Sequence, residues 1–441
     1  MNSRSIYRSV YFLAQQMRGG VDWRMIDAAE GLLNQPWSEL SSYVDERLRG
    51  LHGASAGLAW LAQQNPLDRS AAREQIEAAA LGASPRHVEW RRTSGSTGAP
   101  LAFPKDRQMT AWMDAAMWAA YRWHGVSPGQ AHARFWGLPR DPVKRLRRKC
   151  MDRMLHRRRL DAFEMSRENS IQFFHRLLRF GPRYVHAYPT LLRSFVEHCT
   201  AAKLDGSELR IQVVICGGEL LVESTRKAIG EFFGCRVVDE YGCTESGLLT
   251  LECEAGTPHI LPVACYPEVL SDDGRSLDEG VGEVVVTDLY GRIAPLVRYR
   301  LSDRARIGRT TCACGRNLPY LKPEMGRIQD FIHTPGKGAI YATILAYTVP
   351  EGIARFRAYQ VRPDAIVAEV VLATKATAST IDLCKKKWKK ELGIDMEIDL
   401  HVVPKIDPEP SGKLRYFIPT SEIPPAKLKA LISQVESTSA S

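Results

Sequence analysis

In the middle of the chain, a strand-like run, a glycine turn, a helical stretch and a second strand-like run follow one another. Leu209–Ile215 is rich in β-branched residues, Gly217-Gly218 comes after it, a helix is expected to begin near Val222, and Cys235–Glu240 reads as the next strand. This order is typical of an α/β layer with a largely parallel sheet. Ligands of such sheets bind beyond the carboxyl ends of the strands, where Gly217-Gly218 and Tyr241-Gly242 would lie.

The chain has 441 residues, more than one core usually supports, so two or more domains are expected. Short β-rich pieces separated by turns fill residues 259–325, and the composition changes again at Gly326-Arg327. We therefore expect a large layered α/β domain over 1–326, with a β-subdomain at about 259–325, and a small α+β domain over 327–441. The patterns also predict helices at Trp37–Leu51, Ala71–Leu81, Ile340–Tyr347 and Ile381–Leu392, strands at Pro267–Leu270, Glu283–Asp288, Leu296–Tyr299, Ala305–Ile307 and Met396–Val403, and a hairpin at Ala354–Ala373.

Positive charge is concentrated in one segment. The formal net charge is +10, and Lys144–Arg159 alone holds nine Lys or Arg against one Asp. Leu146, Cys150, Met154 and Leu155 recur there at helical spacing, which predicts an amphipathic basic helix. Anionic lipid, the phosphates of a large substrate, an acidic partner or solvent alone could face it. No nucleic-acid motif accompanies the run, so a specific nucleic-acid partner is not expected.

The bulk composition describes an ordinary globular protein, with 44% hydrophobic and 25% charged residues. No apolar run approaches the ~20 residues of a membrane span, and the first residues are too weakly apolar for a signal peptide. Ten cysteines without a small-domain framework favour the reducing cytoplasm. The oligomeric state stays open, with a homodimer as one arrangement.

A Ser/Thr/Gly loop lies at residues 92–98. Its Ser94, Gly95, Ser96, Thr97 and Gly98 combine hydroxyl donors with glycines that let backbone N–H groups approach a polyanion. No Lys follows the last Gly, so the loop is not a Walker A sequence. Alone, it fits a phosphate cradle and a flexible polar turn equally well.

Two further motifs follow strands. In Tyr241-Gly242-Cys243-Thr244-Glu245 the ring could stack on a purine, and the final carboxylate could hold Mg²⁺, which prefers oxygen ligands. Arg298–Asp303 ends another strand candidate, and its terminal carboxylate suits a ribose diol or a plain salt bridge to Arg300.

The last two motifs lie near the composition break and the end of the chain. Gly326–Asp330 sits where an interdomain hinge would be, and Pro410–Lys413 places a Lys at a glycine turn. An ammonium at such a turn can neutralise charge that develops on a transferring carboxylate and phosphate. A single surface Lys is more often only solvated.

The five motifs, in this order, resemble those of the adenylate-forming superfamily of acyl-CoA synthetases, adenylation domains and luciferases, over about residues 88–420. The short length and the Arg-Tyr-Arg variant most resemble the phenylacetate–CoA ligase branch, which includes capsule-cluster CapK-like proteins. The resemblance implies a large N-terminal domain and a small mobile C-terminal domain.

For the nucleotide, the resemblance implies that residues 94–98 embrace the β- and γ-phosphates of ATP. Gly217, Gly218 and Glu219 would line the adenine side, with Tyr241, next to Gly242, stacking on the ring. Asp303 would hold the ribose hydroxyls, assisted by Arg327.

For the chemistry, the resemblance implies that Thr244 touches the α-phosphate and Glu245 ligates Mg²⁺. Lys413 would bridge the carboxylate and the α-phosphate during adenylation. The C-terminal domain would then rotate, which removes Lys413 for the second half-reaction.

Acceptor identity is less defined by the sequence. Gln329 stands where the family usually has a charged residue, and residues 333–338 are glycine-rich without matching the thioester loop closely. Coenzyme A is the first expectation, and a carrier-protein thiol or an amine is the alternative. An alternative from another functional class is a binding protein with a basic surface, built on a ligase fold that has lost its catalytic activity.

Cysteines and one histidine suggest a metal site. Cys312 and Cys314 form a tight Cys-x-Cys turn, and Cys253 and His259 lie upstream. A tetrahedral Cys₃His set fits a closed structural zinc site, with Cys265 as the reserve ligand. Free buried cysteines are the alternative.

Aromatic residues mark a candidate acid pocket. Trp136 and Tyr188 lie where the superfamily builds its acyl pocket, and aromatic walls suit a small planar aryl acid or a short acyl group. Aromatic residues at such places are also common in plain cores.

Overall fold

The computed structural model describes residues 3–16, 20–80, 88–92, 101–138, 141–161, 165–327, 331–350, 352–373, 378–407 and 414–439. Structural statements refer to these residues. The predicted phosphate loop at 94–98, the atypical Gln329 and Lys413 lie outside them, as does the side chain of Arg327.

Helices and strands alternate through most of the described chain. Its α-helices are α1 (Ser3–Gln16), α2 (Trp23–Leu33), α3 (Trp37–His52), α4 (Leu58–Leu61), α5 (Arg69–Ala80), α6 (Arg107–Tyr121), α7 (Pro142–Met154), α8 (Arg167–Phe180), α9 (Pro189–Ala201), α10 (Glu223–Phe233), α11 (Thr343–Thr348), α12 (Ala378–Leu392) and α13 (Pro425–Ser439). Its strands are β1 (Val88–Arg92), β2 (Ala102–Asp106), β3 (His132–Phe135), β4 (Arg157–Leu160), β5 (Tyr184–Ala187), β6 (Val213–Gly217), β7 (Arg236–Cys243), β8 (Gly247–Glu252), β9 (Pro258–Ile260), β10 (Cys265–Leu270), β11 (Gly280–Asp288), β12 (Tyr299–Gly308), β13 (Tyr320–Arg327), β14 (Phe331–Thr334), β15 (Gly338–Tyr341), β16 (Ile353–Arg362), β17 (Ala365–Leu372), β18 (Glu397–Val402) and β19 (Phe417–Ile418). Short 3₁₀ helices cover Arg122–His124, Gly206–Leu209 and Thr420–Glu422.

One sheet organises the large domain. Its strand order is β10-β11-β12-β13-β9-β8-β7-β6-β5-β3-β4. The strands from β4 to β7 are parallel neighbours, whereas β8 pairs antiparallel with β7. This confirms the predicted α/β layer. The β-rich segment at 259–325 continues the same sheet rather than forming a sheet of its own.

Helices cover both faces of the parallel part of the sheet. Successive residues of a strand point to opposite faces, so each strand contributes side chains to both helix layers. Val185 and Val214 pack with α8, α9 and α10 on one face. Tyr184 and Ile215, their neighbours in sequence, pack with α2 and α6 on the other. The parallel strands are therefore buried on both sides, as all-parallel layers require.

A smaller sheet of order β18-β17-β16-β19 forms the core of a separate C-terminal domain, as expected. The predicted hairpin is present, since β16 and β17 pair antiparallel. Trp388 of α12 is fully buried there and donates its indole N–H to the Leu345 carbonyl at 3.2 Å. The domain therefore has its own hydrophobic core.

The prediction of one helix over Lys144–Arg159 is wrong at its C-terminal end. Helix α7 ends at Met154, and His156 has a φ of +52°, a left-handed conformation that an α-helix does not continue through. Arg157–Leu160 instead forms β4 at one edge of the large sheet. The buried ion pairs of Asp152 with Arg157 and Arg159 help to explain why these residues form a strand instead of continuing the helix.

Three further boundaries differ from the sequence prediction. The first predicted strand forms over Val213–Gly217, because a 3₁₀ turn occupies its expected beginning. The strand predicted at Leu296–Tyr299 begins only at Tyr299, since Arg298 has a φ of +45°. The helix predicted over Ile340–Tyr347 is split between the end of β15 and the short α11. No helix among the described residues combines the length and the apolar composition that a membrane span requires.

Candidate functional site

The candidate site lies at the carboxyl ends of the parallel strands. Trp136 directly follows β3, Tyr188 follows β5, Gly218 follows β6, and β7 carries Tyr241. Because these strands are parallel neighbours, their carboxyl ends meet at one edge of the sheet. The fold therefore brings together residues that lie about a hundred positions apart in sequence, at the place where α/β sheets bind ligands.

Glycine is required at the turn after β6 for two different reasons. A Cβ at Gly217 would lie 2.4 Å from Glu240 Cγ on the neighbouring strand, a distance that no side chain tolerates. Gly218 has a φ of +78° and is exposed, a conformation that favours glycine. The turn therefore presents bare backbone to solvent beside β7.

Tyr241 and Asp303 are brought into contact from strands β7 and β12. The Tyr241 hydroxyl donates to Asp303 Oδ2 at 2.7 Å, and burial raises the pKa of Tyr241. Asp303 is directly opposite Arg327 in the antiparallel β12–β13 pair. Arg300 forms a salt bridge with Glu283 instead. A ring, a carboxylate and the backbone of an arginine, predicted as separate motifs, thus share one location.

Thr244 and Glu245 occupy the turn between β7 and β8. Thr244 is exposed, whereas Glu245 is buried and burial raises the pKa of its carboxyl. Among the described residues no salt bridge neutralises Glu245, and the nearby Lys105 ammonium is paired with Asp288 at 2.7 Å. A buried carboxylate without a paired cation fits a position where a divalent cation would supply the charge.

Glu219 joins the two domains. Its Oε1 accepts the Leu414 amide N–H at 2.6 Å, and its Oε2 accepts the Thr190 hydroxyl at 2.6 Å and the Thr190 amide at 3.1 Å. Arg355 of the C-terminal domain donates to the Thr190 carbonyl at 3.1 Å. Burial raises the pKa of Glu219. The carboxylate thus ties the large domain to the residue that follows Lys413 in sequence, whereas the sequence had suggested only an adenine-side role.

The two predicted pocket aromatics are in contact. The rings of Trp136 and Tyr188 stack with centroids 3.8 Å apart, and Tyr188 is buried. The Arg134 guanidinium lies 4.6 Å from the centre of the Trp136 ring, because positions 134 and 136 point to the same side of the chain. Burial lowers the pKa of Arg134 to about 9.

A polar cluster lies beside this pair. His186 belongs to the segment 186–189 that the sequence marks as a pocket candidate, whereas Tyr121 and Glu240 were not singled out. Glu240 accepts hydrogen bonds from the Tyr121 hydroxyl at 2.6 Å and from His186 Nε2 at 2.8 Å. The His186 ring is 5.0 Å from that of Trp136, and burial lowers the pKa of His186. The available signal was alternation, since His186 precedes Tyr188 by two residues and Glu240 immediately precedes Tyr241.

The predicted metal-binding residues converge in the structure. Ligand atoms of Cys253, His259, Cys312 and Cys314 all lie within 4.8 Å of one another. The Cys253 and Cys312 sulfurs are 3.6 Å apart, and His259 Nε2 is 3.3 Å from the Cys314 sulfur. A tetrahedral zinc with bonds of about 2.0–2.3 Å has ligand–ligand edges of roughly 3.3–3.8 Å, which these distances match.

The surroundings of the four residues also suit a metal. The Leu318 carbonyl lies 3.0 Å from His259 Nδ1, which directs Nε2 toward the sulfurs, as for zinc-bound histidines. Amide N–H groups of Ala255 and Arg316 point at the Cys253 and Cys314 sulfurs, each at 3.4 Å. Cys265 lies elsewhere and bonds to the Ser246 carbonyl. The donor set fits a closed zinc site and leaves no part for Cys265.

Comparison with known proteins identifies the family and the fold. The AMP-binding enzyme family matches residues 160–288, and the CapK C-terminal domain family matches residues 333–420. The chain belongs to the adenylate-forming superfamily. Within it, the chain falls in the phenylacetate–CoA ligase-like branch.

Two curated relatives illustrate the branch. A phenylacetate-coenzyme A ligase of Thermus thermophilus is 28% identical over 188 residues, which are 40% of this chain and 42% of that protein. Protein CapK of Staphylococcus aureus is 23% identical over 336 residues, 74% of this chain and 73% of that protein. The match to the Thermus enzyme therefore spans less than half of its length.

Solved structures share the fold at low sequence identity. A 2-hydroxyisobutyryl-CoA ligase in its postadenylation state has a TM-score of 0.70 and 18% identity, with 93% of this chain and 92% of that chain covered. The amide bond synthetase McbA from Marinactinospora thermotolerans has a TM-score of 0.53 and 20% identity, with 75% and 68% covered. The first match includes both domains, whereas the second leaves a quarter of this chain unmatched.

Replacing Glu219 with alanine is expected to slow any step that needs the docked C-terminal domain by roughly tenfold. The change leaves the buried Leu414 N–H of the C-terminal domain without its acceptor, at about 1–3 kcal/mol, and about 1.4 kcal/mol is a factor of ten. The rate of acid-dependent pyrophosphate exchange measures it. Glu223→Ala is the matched control, because its side chain is 85% exposed. Equal rates for the two variants would contradict the role of Glu219.

Proposed function

We propose that this chain uses Mg·ATP to activate a small carboxylic acid as an acyl-adenylate and then transfers the acyl group to a thiol, with coenzyme A as the first candidate. The observation that carries the proposal is the contact between Tyr241 and Asp303, with Asp303 opposite Arg327 and the Gly217-Gly218 turn on the neighbouring strand. Tyr241 supplies an aromatic ring, Asp303 a carboxylate that can accept hydrogen bonds from ribose hydroxyls, and the Gly217-Gly218 turn an exposed backbone.

The nucleotide-binding roles follow from these positions. We propose that adenosine lies over the Gly217-Gly218 turn against Tyr241, with its ribose on Asp303. Thr244 is exposed and free to contact the α-phosphate, and Glu245 would hold Mg²⁺. The bound Mg²⁺ would neutralise phosphate charge. The loop at 94–98 is the proposed cradle for the outer phosphates.

The adenylation step needs positioning and charge stabilisation more than covalent help from the protein. A carboxylate oxygen attacks the α-phosphorus, and pyrophosphate leaves. We propose that Lys413 neutralises the charge shared by the carboxylate and the α-phosphate. Support comes from Glu219, which holds the amide of the next residue, Leu414, against the large domain.

The second step is proposed to follow a domain movement. The proposed boundary between the domains lies near residue 326, and the C-terminal domain would rotate there to withdraw Lys413. Such a rotation must break the hydrogen bond from Leu414 to Glu219 and the one from Arg355 to the Thr190 carbonyl. The similarity to a ligase in its postadenylation state, with a TM-score of 0.70, against 0.53 for its thioesterification state, supports a docked arrangement that precedes thioester formation.

The proposed acid pocket is formed by Trp136 and Tyr188, with Arg134 and His186 beside them. Stacked aromatic walls favour a planar aryl acid or a short acyl group. Arg134 Nε has no hydrogen-bond partner among the described residues, so an acid with a second polar or acidic group would find a donor there. A test panel should therefore contain aryl, hydroxy and dicarboxylic acids.

Acid-dependent exchange of pyrophosphate into ATP tests the proposal. At least one acid of the panel should support exchange in the presence of Mg²⁺, and chelation of Mg²⁺ should stop it. If no acid supports exchange while ATP binding is intact, the ligase proposal fails and the alternative of a retired scaffold gains support.

The acceptor is identified in a second arm of the same experiment. With the activating acid present, coenzyme A should release AMP and yield a thioester. Amines and a carrier-protein thiol are the alternatives, the former by comparison with the amide bond synthetase of the same fold. Release of AMP with an amine but not with coenzyme A would redirect the proposal to amide synthesis.

A further inference from the structure

Helix α7 turns Arg145 and Asp152 inward and exposes an apolar stripe. Val143, Leu146 and Met154 are 66%, 64% and 49% exposed, and Cys150 is exposed as well. At 3.6 residues per turn these four positions fall within a stripe of about 80°. Asp152 lies about half a turn away from Val143 and is buried. The apolar stripe defined by these four residues therefore faces solvent.

The inward side of α7 is held by ion pairs rather than by apolar packing. Asp152 accepts hydrogen bonds from Arg157 Nε at 2.6 Å and Arg159 Nε at 2.7 Å, both on β4. Arg145 forms a salt bridge of 3.2 Å with the buried Asp161. A globular surface helix normally packs its apolar stripe against the core, so this orientation needs another explanation.

Cations flank the apolar stripe on both sides. The basic side chains beside the stripe are Lys144, Arg147, Arg148, Lys149 and Arg153. Among the described residues, none of these five forms a salt bridge with a carboxylate. Their charge accounts for half of the formal surplus of +10. Long basic side chains beside an apolar stripe can reach lipid phosphates while their stems and the stripe enter the apolar layer.

The neighbouring helix α1 also carries exposed apolar side chains. It contacts α7, and the Tyr7 ring stacks on His156, just beyond α7, with centroids 3.7 Å apart. Ile6 and Leu13 of α1 are 46% and 60% exposed and lie two turns apart on one stripe. Five of the eleven exposed large hydrophobic residues among the described side chains thus belong to two contacting helices.

We propose that α7, assisted by α1, docks the protein on an anionic lipid bilayer, with the apolar stripe entering the headgroup boundary and the flanking cations binding lipid phosphates. A bilayer explains the two features together, because solvent alone favours the charges but not the exposed stripe. A nucleic acid would pair with the charges and leave the stripe in water. The proposal is independent of the ligase chemistry and requires no membrane span.

Vesicle sedimentation with the full chain tests the proposal. Vesicles that mix phosphatidylglycerol with phosphatidylcholine should bind the protein at least about tenfold more tightly than pure phosphatidylcholine, and added salt should weaken binding. The double variant Arg147→Gln/Arg148→Gln should lose about 25-fold, since each cation near an anionic surface contributes roughly fivefold. Leu146→Ser/Met154→Ser should lose about tenfold or more.

Two control variants match these changes on the C-terminal domain. Ile394→Ser removes an 83% exposed apolar side chain, and Lys405→Gln removes a cation whose side chain is 76% exposed; both should bind vesicles like the unmodified chain. The α7 variants should keep the melting temperature, because they change exposed positions only. Equal binding to neutral vesicles, or no loss in either α7 variant, would overturn the proposal. A further result would also overturn it. If the unmodified chain bound no vesicles but formed a dimer that Leu146→Ser/Met154→Ser dissociates, a second copy of the chain would cover the stripe.

Discussion

Lys413→Ala should lower acid-dependent pyrophosphate exchange by about 10²–10³-fold, the loss that follows removal of one group that stabilises transition-state charge. The lysine is expected to act on charge that develops between the carboxylate and the α-phosphate, so binding of ATP alone should change little. The second half-reaction should survive, because Lys413 is proposed to leave the site before it. Thioester formation from a synthetic acyl-adenylate and coenzyme A therefore separates the two steps.

Lys405→Ala is the matched control for this prediction. Lys405 lies on the same domain and is 76% exposed, and its salt bridge among the described residues is with the equally exposed Asp407, so both half-reactions should be unchanged. If Lys413→Ala exchanged pyrophosphate at the unmodified rate, the proposed mechanism would be wrong even with the family established. If it lost both half-reactions equally, a general loss of the folded C-terminal domain would be indicated, which the melting temperature would reveal.

The second large effect concerns the cluster of Cys253, His259, Cys312 and Cys314. We expect the purified chain to contain about one zinc ion and Cys312→Ser to lose most of it. Zinc at a closed site contributes directly to folding. A loss of about 3 kcal/mol would lower the melting temperature by roughly 4–5 °C in a domain of about 326 residues, because the unfolding entropy is about 2.1 cal/mol/K per residue. Metal analysis and thermal unfolding measure the two effects.

Two other cysteines provide controls of different kinds. Cys150→Ser changes an exposed thiol and should leave both zinc content and melting temperature unchanged. Cys265→Ser should retain zinc, because its sulfur bonds to the Ser246 carbonyl away from the cluster. Loss of zinc from Cys265→Ser would contradict the zinc site. So would a chain whose melting temperature stays the same after a chelator has removed the metal.

The sequence predicted which distant residues lie close together better than the boundaries of the elements. Tyr241 and Asp303 were placed in one site by motif order, and the structure joins them by a hydrogen bond. The four metal-site residues were predicted from chemistry and converge as expected. Their proximity could be predicted because a glycine turn or a cysteine pair has few structural uses, whereas their roles stay predictions.

The failures share a different physical cause. Leu146 and Met154 have helical spacing, so periodicity predicts a helix but not which of its sides is buried. The inward direction of α7 is decided by Asp152 and its partners on β4, which are tertiary contacts. Glu219 was likewise visible in the sequence, yet its bond to Leu414 joins residues 195 positions apart. A local sequence pattern does not indicate which distant residues will form such contacts.

The eleven-stranded sheet is open, so its two outermost strands, β10 and β4, each leave one side without a strand neighbour among the described residues. Exposed strand edges are templates for pairing between molecules. Strand β10 contains Pro267, which lacks an N–H to donate, and β4 is Arg-Arg-Arg-Leu. A like-charged copy of β4 would be repelled, and a copy of β10 would miss a hydrogen bond. Arg157 and Arg159 share the single carboxylate of Asp152, so the net positive charge that remains on β4 helps to keep neighbouring copies from aggregating.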